Sequence, residues 1–196
     1  MLRIPGLLPP ATAAHWLTML AARPGGSLKL ADAFDLRALL QALTPLRPAI
    51  ESRLGRQPQV IASQCWVRRA RPPHGWHQDG ALHHDFVSGP LLVMLTCWIP
   101  LVRCGRDAPG LEWVEPTLDT LLKPSELTDD AVQTRFTRFV RPELAAGEAV
   151  LFDGGLLHRT HSTPAMTLPR TSIELRFIAA GPAPPRLAGE TLLAFG

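Results

Sequence analysis

The sequence predicts an α+β domain, mainly β, with helices in its first third and sheet after it. Three features of the chain point there. Its 196 residues are 46% hydrophobic, enough to bury one core without disulfides or a structural metal. Its 20 prolines and 15 glycines fall between short apolar runs, as turns do in β-rich domains. Near Gln59 the apolar spacing changes from helical to strand-like. We expect one domain over residues 1–196, with a helical buttress at 1–58, a sheet core at 59–180 and a tail at 181–196.

In order along the chain, Thr12 is placed to cap a helix over residues 13–22, where Trp16, Leu17 and Leu20 share a face. A second helix is expected from Asp35 to about Leu43. Thr44 and Pro45 form a cap and first-turn pair for a third, which Gly55 ends. Strand character follows at residues 60–67, 91–101, 111–114, 149–152 and 171–179. Residues 117–137 read as an insertion with one or two short helices, since Pro124 and Ser125 open a polar stretch ending at 131–136. The Pro-rich 181–185 is expected to be irregular, and 186–196 an edge segment or tail.

The formal charge of +3 comes from arginine, Lys29 and Lys123 being the only lysines; so small a surplus requires no nucleic-acid partner. The densest basic patch, Arg68, Arg69 and Arg71, reads either as a contact for an anionic substrate or as a solvated strand end. Cys65, Cys97 and Cys104 lack CxxC spacing, which argues against a thiolate zinc site and a disulfide framework and points to a reducing, cytoplasmic compartment. Pro5, Pro9 and Pro10 interrupt the apolar core that an export signal needs. No apolar run approaches the roughly 18 residues of a membrane span.

Chemistry concentrates in His74-Gly75-Trp76-His77-Gln78-Asp79-Gly80. In an extended segment His77 and Asp79 point the same way and bring an imidazole and a carboxylate to one point. Such a pair is common by chance and needs a third ligand. His158 offers one, following the strand-like 149–152 and a turn at Gly154 and Gly155. Two imidazoles and a carboxylate on one face of Fe(II) leave neighbouring positions open for a bidentate co-substrate and O2, whereas a structural zinc usually recruits cysteine. Arg170 opens an alternating segment with Ser172, Glu174 and Arg176 on its face, and its planar guanidinium suits one end of a dicarboxylate. Arg176 is expected to pair with Glu174, since buried charges are paired.

With these residues in place, the chain resembles the phytanoyl-CoA dioxygenase-like branch of the Fe(II) and 2-oxoglutarate oxygenases over residues 59–180. The carriers are the motif at 76–80, the segments 95–101, 108–112 and 147–153, Leu157 with His158, and 170–177. The resemblance implies a double-stranded β-helix, a cupin-like jelly roll, with the N-terminal helices packed outside. It implies His77, Asp79 and His158 as metal ligands and catalytic set, and Arg170 as the anchor of 2-oxoglutarate. By the same motif match Thr160 and Trp98 line the co-substrate pocket. The activity implied is oxidation of a substrate by O2, coupled to conversion of 2-oxoglutarate to succinate. The chain departs from the pattern at 104–110, where the usual Gly-rich stretch carries Arg106 and Asp107, and it has no tyrosine.

His74, His83, His84 and His161 crowd the same motifs and are assigned to substrate contact or solvent. His161 is the competitor of His158, but is expected in a polar loop. Arg68, Arg69, Trp76 and His83 are the tentative substrate contacts, and hint at hydroxylation of a small polar or carboxylate-bearing metabolite. Two other readings stay open. One is an AlkB-like nucleic-acid demethylase, from the spacing of Arg170 and Arg176; the other is a non-catalytic jelly roll that binds a metal or ligand.

Overall fold

The computed structural model describes residues 1–23, 25–69, 73–82 and 91–196. Helix α1 (Pro10–Ala21) begins ahead of the expected Thr12 cap. Pro10 supplies the preset φ of a first turn, and the amides of Thr12 and Ala13 bond to the carbonyl of Pro9. After the short α2 (Leu30–Ala33), α3 (Leu36–Ala42) is capped by Asp35, whose carboxylate accepts from the amides of Arg37 and Ala38. Thr44 and Pro45 open a 3-10 turn that runs into α4 (Arg47–Leu54), and Gly55 ends α4 at φ 82°, in the left-handed region where a side chain is strained.

The strands are β1 (Leu2–Ile4), β2 (Leu28–Lys29), β3 (Gln59–Ile61), β4 (Trp66–Arg69), β5 (Leu95–Pro100), β6 (Gly110–Val114), β7 (Phe139–Val140), β8 (Ala149–Asp153), β9 (His158–His161), β10 (Thr171–Ile178) and β11 (Leu192–Ala194). They form two open antiparallel sheets. The larger runs β1-β8-β5-β10-β3-β11, with β4 sharing the free side of β10 and carrying β2; the smaller runs β7-β6-β9. The expected insertion folds as a 3-10 turn (Pro124–Glu126) and α5 (Asp129–Arg135), capped by Thr128.

Alternation along the central strands divides the core. Leu95, Cys97 and Ile99 of β5, Ala149 and Leu151 of β8, and Ile173, Leu175 and Phe177 of β10 pack against the helices with Leu20, Leu30, Leu43, Leu46 and Ile50. Each such fully buried aliphatic or aromatic side chain contributes roughly 1.5–3 kcal/mol. The opposite face carries Trp98, Val150 and Phe152, which meet Leu111 and Trp113 of the second sheet. The polar positions Thr96, Ser172, Glu174 and Arg176 share that face. This is the expected jelly-roll layout, mainly β with helices outside, built from open sheets and not from a closed barrel.

Three local expectations are corrected. Residues 60–67 are two strands, because a 3-10 turn (Ala62–Gln64) interrupts them, and β10 pairs with both pieces. The first 58 residues are not all helical: β1 pairs with β8, and β2 with β4. His161 ends strand β9 and does not sit in a loop. At the other terminus, β11 is an edge strand on β3. Among the described residues, no helix is long and apolar enough to cross a membrane.

Candidate metal centre

The 74–77 segment runs antiparallel beside β9. The amide of His77 donates to the carbonyl of His158 at 2.9 Å, and the amide of His158 returns a bond to His77 at 3.0 Å. This pairing brings two histidines distant in sequence side by side, with tilted rings whose centroids lie 4.1 Å apart. Asp79 follows at the start of a 3-10 turn (Asp79–Ala81), its Oδ1 3.7 Å from His77 Nε2. Ligand atoms of His77, Asp79 and His158 all lie within 4.8 Å of one another, and they are the one such group among the described residues.

The backbone fixes how these rings present themselves. His77 Nδ1 lies 2.8 Å from the carbonyl of Gly75, and His158 Nδ1 lies 3.0 Å from that of Leu156. A carbonyl only accepts, so each Nδ1 carries the proton and donates it, which leaves a lone pair on each Nε2 for a cation. Burial is the main force on His77, pulling its pKa down to about 4; neighbouring His158 acts the same way, and Asp79 opposes it. The His77 imidazole is therefore neutral at pH 7, the form that ligates metal.

Asp79 is held from two sides. Thr96 Oγ1 donates to its Oδ2 at 2.5 Å and Arg176 Nη2 to its Oδ1 at 2.8 Å. Burial pushes its pKa up, but the Arg176 guanidinium and the imidazoles of His158 and His77 outweigh burial and hold the carboxyl far below the usual range. Arg176 thus pairs chiefly with Asp79 and not with Glu174, which stands 3.7 Å away. Glu174 pairs with Arg68 at 3.1 Å. Thr96 and Arg176 are cross-strand partners in the β5–β10 register, so one step of sheet pairing aims both at the same carboxylate. Arg176 also donates to the carbonyl of Gln64 at 2.7 Å, a group exposed by the break between β3 and β4.

A cleft joins this cluster to Arg170: His74, His77, His158, Trp98, Thr160 and Arg170 line it. Arg170 is 5% exposed. Its Nη1 donates to Thr160 Oγ1 at 3.3 Å, its Nε has no hydrogen-bond partner among the described residues, and its Cζ lies 6.0 Å from the Trp98 ring centroid. Burial pulls its pKa down, and Glu174 only partly offsets this. A buried guanidinium with no hydrogen-bonded carboxylate among the described residues is a ready receptor for an anion.

The other predicted contacts separate. Arg68 and Arg69 line the cleft, and Arg69 also donates to the carbonyls of Leu20 and Arg23. Trp76 turns the other way, into a cluster with Val114, Leu122, Val132 and Leu157, and does not line the cleft. His161 faces Glu112, its Nδ1 3.8 Å from Glu112 Oε2, because alternation in β9 turns it away from His158 and Thr160. His83, His84 and Arg71 lie outside the described residues. Sequence reasoning missed Thr96 and the Asp79 partner of Arg176; the alternation of 170–176 carried part of that signal, but not the register.

No curated protein sequence matches the chain. Among solved structures, the fold is similar to the non-heme α-ketoglutarate-dependent epimerase SnoN from nogalamycin biosynthesis, with TM-score 0.69, 17% identity, and 91% of this chain and 78% of that one covered. It is similar to HygX from Streptomyces hygroscopicus, solved with iron, at TM-score 0.68 and 13% identity over 91% and 81%. EvdO2 from Micromonospora carbonacea var. aurantiaca, in complex with 2-oxoglutarate, aligns at TM-score 0.63 and 19% identity over 94% and 89%. At sequence level, residues 31–166 match the phytanoyl-CoA dioxygenase family. That match covers well over half of the chain, which therefore belongs to the phytanoyl-CoA dioxygenase family of non-haem iron, 2-oxoglutarate-dependent enzymes.

Proposed function

We propose that this enzyme hydroxylates a small polar or carboxylate-bearing metabolite, with His77, Asp79 and His158 as the iron ligands and Arg170 as the anchor of the distal carboxylate of 2-oxoglutarate. The observation that carries this is that His77 and His158 of the His77, Asp79 and His158 cluster share one cleft with a buried arginine that has no carboxylate bonded to it among the described residues. Two imidazoles and one carboxylate suit Fe(II) and leave positions for a chelating co-substrate and O2. Iron held by His77, Asp79 and His158 would supply the oxidising chemistry, in which O2 converts 2-oxoglutarate to succinate and CO2 and hydroxylates a substrate C–H bond.

The chain's own groups do the positioning. The carbonyls of Gly75 and Leu156 hold the two imidazoles in the metal-binding tautomer. Thr96 and Arg176 keep Asp79 ionised and fixed in rotamer. Arg170 and Thr160, above Trp98, form the end wall against which a carboxylate would seat. Arg68 and His74 on the cleft wall favour a polar or anionic substrate. A small molecule is also what some similar structures hold: HygX was solved with hygromycin B bound and SnoN with nogalamycin RO. The chain as one domain, in a cytoplasmic setting, fits its three buried free thiols.

Anaerobic titration of the protein with Fe(II) and then 2-oxoglutarate tests the assignment. A weak visible charge-transfer band is expected, absent in His77→Ala and needing more 2-oxoglutarate in Arg170→Ala. No band in the wild type at saturating reagents would leave the non-catalytic jelly roll as the better account. Succinate release that depends on candidate metabolites, and not on added oligonucleotide, separates the metabolite reading from the demethylase.

A further inference from the structure

We propose that Gln78, the residue between His77 and Asp79, is a positioning residue that sets the spacing of the two metal-binding segments by tying both to the insertion at 117–137. The inference rests on the reading of His77, Asp79 and His158 as iron ligands. Extended backbone turns His77 and Asp79 toward the cleft, so Gln78 points away from it, into the protein, where it is 4% exposed. Its Nε2 donates to the carbonyl of Thr120 at 2.9 Å and to that of Gly155 at 3.0 Å, and its Oε1 accepts from the amide of Leu122 at 2.8 Å. One carboxamide thus uses both N–H groups and its oxygen on two segments, the turn that delivers His158 and the start of the insertion, and joins both to its own.

Those segments touch backbone to backbone. The amide of Gly80 donates to Gly154 at 2.8 Å, and that of Leu118 to Gly155 at 3.3 Å. A Cβ on Gly155 would fall 1.9 Å from the carbonyl oxygen of Leu118, and one on Gly154 would fall 2.9 Å from Gly80 Cα. With glycine at these close approaches, the backbones meet directly, and a displacement of residues 118–122 passes to the turn before His158. His77 and Asp79 are fixed to each other by adjacency, but His158 is registered to them only through such cross-segment bonds. Gln78 closes the set from behind the cleft, while the His77–His158 backbone pair closes it in front. Trp76, on the same side as Gln78, packs with Leu122 and Val132 and adds an apolar hold on the insertion.

Co(II) is the probe, because its d–d absorption reports ligand geometry without turnover. Gln78→Met keeps the volume and removes all three bonds; Gln78→Glu keeps the acceptor and sets an oxygen against two carbonyls. Both are expected to raise the Co(II) Kd by about tenfold or more and to alter the d–d spectrum, with the larger effect in Gln78→Glu. A lowered melting temperature with wild-type Co(II) affinity and spectrum would show a structural role only and overturn the proposal. Wild type and His77→Ala run beside them: binding in the first and none in the second upholds the ligand set, so a failure then belongs to Gln78 alone. No Co(II) binding by the wild type overturns both. If the variants do not fold, hydrogen exchange of the wild type decides. Slower exchange of the Leu118 and Leu122 amides on Co(II) loading supports the coupling, and unchanged exchange overturns it.

Discussion

Arg176 and Asp79 form a buried ion pair at 2.8 Å, with 7% and 3% of their side-chain surfaces exposed. The arginine comes from β10 and the carboxylate from the motif loop, and Thr96 on the neighbouring strand completes the grip. A carboxylate that a cation requires is thus already ionised and oriented before any cation arrives.

Removing the arginine strands that charge. Arg176→Met should cost about 3–5 kcal/mol at pH 7, the usual penalty for breaking a buried pair from one side. The sign with pH is specific. Asp79 is held below its ordinary 3.8 in the wild type, so the pair stabilises the fold above that pH and loses its effect as pH falls through the lowered value. In the variant, burial instead raises the carboxyl, which protonates and relieves the cost. The stability gap read from urea midpoints should therefore be widest at pH 7 and narrow towards pH 4; a gap that is constant with pH would contradict the pairing.

Histidine protonation gives a second pH dependence. His74 and His77 are both pulled from 6.5 to about 4, in each case mainly by burial. Between these limits the unfolded chain binds more protons than the folded one, so the metal-free protein should lose stability as pH falls from about 6.5 to about 4. His77→Gln should flatten that slope in chemical denaturation. Added Mn(II) should steepen it for the wild type, since only neutral imidazole ligates.

Arg170 carries opposite expectations with and without co-substrate. Arg170→Met should weaken 2-oxoglutarate binding by about 2–5 kcal/mol while metal affinity stays near wild type, measurable by calorimetry under anaerobic conditions. Without 2-oxoglutarate, the same variant removes a buried cation that has no carboxylate bonded to it among the described residues and should melt at or above the wild-type temperature. A variant that binds 2-oxoglutarate normally would contradict the anchor role.

Gly155→Ala tests the close packing behind the cleft. The added methyl would fall on the carbonyl of Leu118, and forcing the backbones apart should cost about 1–3 kcal/mol and lower Mn(II) affinity along with stability. A variant unchanged on both counts would show that the turn can move without disturbing the cluster.

The legible part of the fold and of the candidate site was what short-range periodicity encodes. His77 and Asp79 could be placed together because alternate residues of an extended chain share a side, and Arg170 could be put on the polar face of its strand for the same reason. The start of one helix at Asp35 and the end of the next at Gly55 were readable from single residues, but that Asp35 caps its helix came from the structure. Thr96 and the true partner of Arg176 were not, because their meeting depends on the β5–β10 register and on the interruption at Ala62–Gln64 that opens a carbonyl to Arg176. Trp76 was misassigned to the cleft although it alternates with His77.

By itself, then, the sequence determined that the main helices precede the central strands, the family, and the residue types that a metal and an anionic co-substrate need. Only the tertiary structure decided which buried charge neutralises which, how Gln78 joins three segments, and why His158 and not His161 faces the cluster. The reason is physical: periodicity acts over a few residues, whereas an ion pair or a shared amide forms only where strand register and backbone contact bring distant segments within about 3 Å.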